Sequence, residues 1–270
     1  MILLVKRSTY WSRGRVQADA AVIDALGKVL QSGGHDIRTV SEKELCMYPD
    51  LLTQPQMPSH IFSMARNRKS LKTLASLYCK GACVINSEPS VRLCTNRVSQ
   101  WYALQHINKC RLKGAVLDGK QKLSDLWNTF PCWVKTNTMA YFVPDRDSFP
   151  DIKGKFVVME HIPGSIIKCY AVKDKLIGWR YMTAALGRFG QERYNDIEQY
   201  RFDAGNLKAL VRTVVQRTGL SVFGFDAVVA PSGAITVIDI NDWPSFGGFV
   251  GQAAHEIAML ALNITDNGKE

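Results

Sequence analysis

The stretch VIDINDWPSF, Val237 to Phe246, decides how this chain is read. Side chains alternate across a strand, so Val237, Asp239 and Asn241 are expected on one face and Ile238 and Ile240 on the other. Just upstream, VFGFDAVV (Val222 to Val229) reads as a second strand, joined to the first by APSG, a turn composition. A hairpin turning about Ser232 and Gly233 sets Asp226 opposite Asp239. Directly opposed like charges destabilise a sheet unless something lies between them. Two carboxylates and an amide oxygen are hard oxygen donors, the set that suits Mg²⁺ beside phosphate oxygens. The alternative is a turn-capping Asp226, with Asp239 and Asn241 facing water at a sheet edge.

A chain of 270 residues can bury a sizeable core and is expected to form two domains, or one domain with lobes. Hydrophobic residues make up 46% and charged residues 21%, a globular balance that excludes a disordered chain. Lys and Arg exceed Asp and Glu by 34 to 24, a net charge of +10 that favours anionic partners such as nucleotides, phosphorylated metabolites and acidic substrates. No block of like charge or basic helix stands out, and the Trp residues are dispersed, so nucleic acid is disfavoured as a partner. Cys46, Cys79, Cys83, Cys94, Cys110, Cys132 and Cys169 contain no CxxC pair, the pattern of reduced thiols rather than of a disulfide framework or zinc site. The opening MILLV runs at once into Lys6 and Arg7, too short for a signal-peptide core, and no apolar run reaches membrane-spanning length. A cytoplasmic location with no membrane partner is expected.

The first third alternates strand and helix: ILLVK, then VQADAAVIDALGKVLQSGG as an amphipathic helix closed by Gly33 and Gly34, then DIRTV, HIFSMA, the helix RKSLKTLASLYCKG and the strand ACVIN. This predicts an open α/β domain with a parallel sheet. Ligands of such sheets sit beyond the carboxyl ends of the strands. Two basic loops fall there, KRSTYWSRGR and RNRK, so Arg13, Arg15 and Arg66 are candidates for holding a substrate anion. The cluster NSEPSV, residues 86–91, predicts a boundary before a helix, TNRVSQWYALQHIN. Beyond it come short strands, CWVKT, KFVVMEH, IIKCYAV and KLIGWRYM, then the hairpin and a late helix, GQAAHEIAMLAL.

The chain has no GxxxxGK[ST], GxGxxG, GxSxG or HExxH motif, which disfavours a P-loop enzyme, a Rossmann dehydrogenase, a serine hydrolase and a zincin. Two lysines lie within apolar strands: Lys135 shares a face with Trp133, and Lys168 with Ile166 and Tyr170. Either alone reads as a snorkelling edge residue. Two such strands around VVMEHIPG, followed by an acidic hairpin, supply point charges and a metal for nucleotide phosphates.

From about residue 86 to 258 the sequence resembles the ATP-grasp superfamily. NSEPSVRLCTNRVSQWYAL looks like the helix that leads into that family's nucleotide module, PCWVKT like its first phosphate-lysine strand, VVMEHIPG like the hinge that holds adenine, IIKCYAVKDKLIG like the strand pair with a second cation, and GFDAVVAPSGAITVIDIN like its metal hairpin. The resemblance implies an α/β chain with an α+β C-terminal part: an N-terminal open parallel domain over residues 1–88, then a two-lobed ATP-grasp module over 89–265. Its smaller lid lobe would span about 110–160 and its larger catalytic lobe about 161–265. It implies ATP and Mg²⁺ as cofactors, with Lys135 and Lys168 on the phosphates, Glu160, His161 and Ile162 lining the adenine pocket, and Asp226, Asp239 and Asn241 on the metal. Arg180 would join the lysines in catalysis, and Arg13, Arg66 and Arg188 would hold a small anionic substrate.

The sequence departs from the family in places. TNTMAYFVPDRDSF, after Lys135, has no glycine where many members have a glycine-rich loop. Asp239 stands where the family's ligases usually have Glu, which is similar to the ATP-grasp inositol polyphosphate kinases, but the histidine those kinases carry after the first lysine has no counterpart. Pro244 and Ser245 replace Pro-Gly. The expected function is a ligase that activates a carboxylate as an acyl phosphate for an amine or thiol. A small-molecule kinase and a non-catalytic nucleotide-binding protein are the alternatives.

Overall fold

The computed structural model describes residues 1–12, 14–47, 57–119, 127–182 and 198–266. Strands β1 (Ile2–Lys6), β2 (Ile37–Ser41), β3 (His60–Ser63) and β4 (Cys83–Ile85) form the expected parallel sheet, in the order β2-β1-β3-β4. β1 is apolar on both faces because both are covered. Ile2 and Leu4 meet Val22, Ile23, Leu26 and Leu30 of helix α1 (Val16–Ser32), while Leu3 and Val5 share a core with Leu71, Leu74 and Leu77 of helix α3 (Arg68–Cys79). Between β2 and β3 lies the one-turn helix α2 (Glu42–Leu45), started by a reciprocal cap between Ser41 and Glu44.

The segment expected to be a boundary and then one helix is two helices. Ser87 precedes α4 (Glu88–Thr95), with Pro89 in its first turn. Asn96 then adopts an extended conformation, and its side chain caps α5 (Arg97–Ile107) by accepting from the Ser99 amide. The break sets Arg97 at the head of a new helix.

Strands β5 (Gly114–Asp118), β6 (Cys132–Lys135), β7 (Ala140–Val143) and β8 (Lys155–Glu160) make an antiparallel sheet, order β5-β8-β6-β7, over a small core that includes Leu117, Trp127, Val134 and Phe156. A third sheet, also antiparallel, joins β9 (Ser165–Val172), β10 (Lys175–Tyr181), β11 (Val222–Val229) and β12 (Ile235–Asp242) in the order β10-β9-β11-β12. Helix α6 (Ala204–Thr218), capped by Asp203 and ended by left-handed Gly219, buries Leu207, Val211 and Val214 in a core with this sheet and α5. Helix α7 (Val250–Asp266) lies against α1. No helix among the described residues is long and apolar enough to cross a membrane.

The N-terminal sheet and the third sheet share an interior. Phe62 and α1 lie in one cluster with Tyr170, Val222, Trp243, Phe246 and α7. Polar groups close the same seam. The Asn86 amide donates to the Val222 carbonyl at 2.7 Å and accepts from the Ser221 and Val222 amides at 2.8 Å. Asp242 is fully buried, and Arg66 Nη2 donates to its Oδ1 at 2.5 Å while Arg66 Nε donates to Oδ2 at 3.3 Å. Arg7 donates to the Asp242 and Trp243 carbonyls at 3.2 and 3.0 Å, with Asp19 Oδ2 3.2 Å from its other terminal nitrogen. Burial pushes the Arg7 guanidinium down to about 10, with neighbouring Arg66 adding to the effect.

Removing Asp242 leaves two enclosed guanidinium groups without their shared counter-charge, and breaking a buried pair costs about 3–5 kcal/mol. Urea unfolding of Asp242→Ala is expected to show a loss of that order. A loss under about 1 kcal/mol, the level of a surface pair, would mean that the seam does not depend on this contact.

Candidate functional site

Asp226 stands opposite Asp239, as the hairpin reading expects, but by a different route. Nearer the turn Val229 faces Ile235 and Ala227 faces Val237, and a bulge then absorbs Ile238 before Asp239 meets Asp226. The extra residue breaks the alternation. Val237 therefore does not share the polar face of Asp239 and Asn241; it is buried in the same core as Ile240.

The register lays one row of charge across the third sheet. Arg180 on β10 opposes Lys168 on β9, Lys168 opposes Asp226 on β11, and Asp226 opposes Asp239 on β12. Lys168 Nζ lies 3.0 Å from Asp226 Oδ1, and that oxygen is buried with no aligned hydrogen-bond donor among the described residues. Burial opposes the charge on Lys168, but Asp226 beside it outweighs burial and raises its pKa.

Two further cations reach the row from other elements. Lys135, buried at the end of β6, donates to the carbonyl of the bulged Ile238 at 2.8 Å. Burial lowers its pKa to about 8, against the pull of Asp239. Arg97 donates from Nη1 to Asp239 Oδ1 and, at 2.8 Å, to Gln100 Oε1, and from Nε to the Thr136 carbonyl at 3.2 Å. Burial raises the Asp239 pKa, but Arg97 and Lys135 prevail and hold the carboxyl below its ordinary value. Asn241 Nδ2 donates to Asp239 Oδ2 at 3.4 Å. Gln100 Nε2 fixes β12 itself through the Ile240 carbonyl at 2.7 Å.

Lys135 also lines a small cleft together with Trp133, Met159, Ile166, Val228 and Ile238. Glu160, His161 and Ile162 line its edge. The Glu160 carboxylate accepts from the Lys113 amide at 2.8 Å, and the His161 amide donates to the Pro131 carbonyl at 3.1 Å. Trp133 Nε1 donates to His161 Nδ1 at 3.2 Å, which sets the indole against the hinge. The shape suits a flat apolar ring with a charged tail running toward Lys135 and Lys168.

The arginines expected on the substrate divide. Arg180 lies beside Gly247, where an added Cβ would come within 3.0 Å of Nη1 and 3.2 Å of the Tyr170 hydroxyl, and its Nε is buried without a hydrogen-bond partner. Arg15, at the start of α1, has a small electrostatic effect on Lys168 and Tyr170, acting to lower the pKa of each. Arg66 is turned to Asp242 at the seam, its charge already balanced. Arg13 and Arg188 lie outside the described residues. The glycine-free segment after Lys135 makes a tight turn in which Thr136 Oγ1 accepts from the Thr138 and Met139 amides at 3.3 and 2.9 Å, and Asn137 Oδ1 accepts from the Arg97 amide at 2.9 Å.

Among the described residues no group of three or more His, Cys, Asp or Glu side chains gathers that could hold a metal. The hard donors at the row are Asp226, Asp239 and Asn241. Asp226 Oδ1, enclosed and short of a hydrogen bond, fits a cation there.

No protein-family model and no curated protein matches the chain. Solved structures do. The chain is similar to a D-alanine–D-alanine ligase from Bacillus anthracis at 15% identity, with 99% of each chain covered and a TM-score of 0.69. A RimK domain ATP-grasp protein from Sphaerobacter thermophilus DSM 20745 matches at 17% identity over 97% of this chain and 100% of that one, with a TM-score of 0.65. The ATP-grasp ligase PsnB, complexed with a minimal precursor, matches at 14% identity over 94% and 97% of the two chains, with a TM-score of 0.64. The chain thus has the ATP-grasp fold over nearly its whole length, N-terminal α/β part included.

The depressed pKa of Lys135 makes stability depend on pH. Its folded value, about 8, lies below the 10.5 of an ordinary lysine, so between the two the unfolded chain binds more protons and stability rises with pH. Chemical denaturation of the wild type is expected to show a gain on the order of 1–2 kcal/mol from pH 7.5 to 9.5 that Lys135→Met lacks. Parallel pH profiles for the two proteins would contradict this placement of the charge.

Proposed function

We propose that this ATP-grasp fold serves an ATP- and Mg²⁺-dependent ligase that activates the carboxylate of a small anionic substrate as an acyl phosphate, for attack by an amine or thiol. The observation that carries the reading is the row Arg180, Lys168, Asp226 and Asp239, closed by Lys135 at the mouth of the apolar cleft. Adenine would take the cleft lined by Trp133, Met159, Ile166 and Val228, which the Glu160–Ile162 segment also lines. Lys135 and Lys168 counter phosphate charge that grows in the transition state. Asp226, Asp239 and Asn241 would hold Mg²⁺, which supplies further charge stabilisation to the transferring group.

Arg180 and Arg15 stand where an acceptor carboxylate is to be held facing the γ-phosphoryl group. One carboxylate oxygen attacks phosphorus, the bond from phosphorus to the departing ADP oxygen breaks, and the acyl phosphate results. The amine or thiol then adds to the acyl carbon and inorganic phosphate leaves. Neighbours of the same fold are ligases by name, one of them solved with ATP.

A kinase acting on a hydroxyl gains from a base that accepts its proton. Asp242, the acid next to the metal strand's donors, is spent between Arg7 and Arg66. A carboxylate acceptor is already a nucleophile and needs only cations to hold it, which this site has. That difference supports the ligase over the kinase.

Candidate acids labelled with ¹⁸O in the carboxylate, supplied with amines or thiols and ATP, test the assignment. A ligase transfers one label to the released inorganic phosphate. A stable phosphorylated product with no free phosphate and no label transfer would overturn the reading in favour of a kinase.

A further inference from the structure

Arg97 was no part of the site expected from the sequence, yet it makes the closest charged contact to Asp239. Its guanidinium is shared among Asp239, Gln100 and the Thr136 carbonyl, and is about a quarter exposed, at 26%. Counting charges, Arg97, Lys135 and Lys168 face Asp226 and Asp239: three cations meet two carboxylates. The hard donors are also turned inward. Asp226 is drawn to Lys168, and Asn241 offers Asp239 its amide hydrogens rather than its oxygen. Adding a divalent cation to a site that already carries excess positive charge is electrostatically unfavourable, and doubly so where burial weakens screening. A nucleotide's phosphates reverse that sign.

We propose that Arg97 competes with divalent metal for Asp239, giving it up only when nucleotide phosphate offers the guanidinium another anion, so that metal enters this site together with nucleotide and not ahead of it. The inference rests on the nucleotide-site reading above. A guanidinium suits the exchange because its fork of donors matches carboxylate and phosphate alike, so it passes between them without being left unpaired. The helix start provides the pivot: the Arg97 amide stays fixed to Asn137 Oδ1 while the long side chain swings. As Arg97 leaves, Asp239 Oδ1 is released on the strand position opposite Asp226.

Manganese is the probe, read by the loss of the free-ion electron paramagnetic resonance signal on titration into the full chain. The wild type is expected to bind Mn²⁺ weakly alone and tightly with ADP present. Arg97→Gln, which keeps a polar side chain but no charge, is expected to bind Mn²⁺ without nucleotide at least about tenfold more tightly than the wild type, a difference of about 1.4 kcal/mol. Adding Asp239→Asn to that variant should abolish the gain, which ties it to this carboxylate. Urea unfolding of each variant checks that the fold is kept. Equal Mn²⁺ affinity of wild type and Arg97→Gln in the absence of nucleotide overturns the competition while leaving the site itself standing. Folded proteins that bind no Mn²⁺ even with ADP overturn the metal and nucleotide reading, and this inference with it.

Discussion

Asp226 and Asp239 face each other across two hydrogen-bonded strands, and the structure around them is arranged to make that tolerable. Opposed carboxylates in a sheet repel, and enclosed ones lose hydration as well. The pair draws cations from different parts of the chain: Lys168 from the neighbouring strand, Arg97 from the head of α5, and Lys135 from β6. The contacts that balance the pair therefore also hold three separate elements over one point. A buried ion pair adds little to stability by itself. Its effect here is positional, because cations that must reach these carboxylates fix where β6 and α5 sit.

The residue after Asn241 repeats the arrangement toward the other side of β12. Asp242 enters the seam with the N-terminal sheet and is met by Arg7 and Arg66, from the loops after β1 and β3. Those loops lie at the carboxyl ends of parallel strands, where open α/β sheets place ligands. In this chain two of their arginines, Arg7 and Arg66, are spent on holding the two sheets together through Asp242. One short strand thus serves the candidate chemistry with Asp239 and Asn241 and the architecture with Asp242.

The parallel sheet was legible because short strands, apolar from Ile2 to Val5 in β1, alternate with the periodic helices α1 and α3, each closely followed by glycine. The acidic pair was legible from turn composition, although the bulge at Ile238 was not: an extra residue leaves no mark in a pattern of alternating apolar and polar side chains. Helix α6 has its own sequence signal: Asp203, Leu207, Val211, Val214 and Gly219 carry a cap, a helical period and a stop. Arg97 could not have been assigned to Asp239. Its neighbour Asn96 signals a helix start, but the contact spans 142 positions of sequence and is set by how α5 packs on β12. Arg66 looked like a substrate cation for the same reason: its partner at Asp242 is distant in sequence and adjacent only once the two sheets meet.

On the proposed reading, Lys135 and Lys168 present positive charge to nucleotide phosphate beside the apolar cleft. Calorimetry of ATP binding, with Mg²⁺ supplied, to Lys135→Met and Lys168→Met tests it most directly, because methionine keeps the apolar stem and deletes only the ammonium. Loss of a charge-assisted contact of about 1.5–3 kcal/mol predicts an affinity about ten- to a hundred-fold weaker in each variant. Unchanged affinity in both, with the fold intact, would contradict the account.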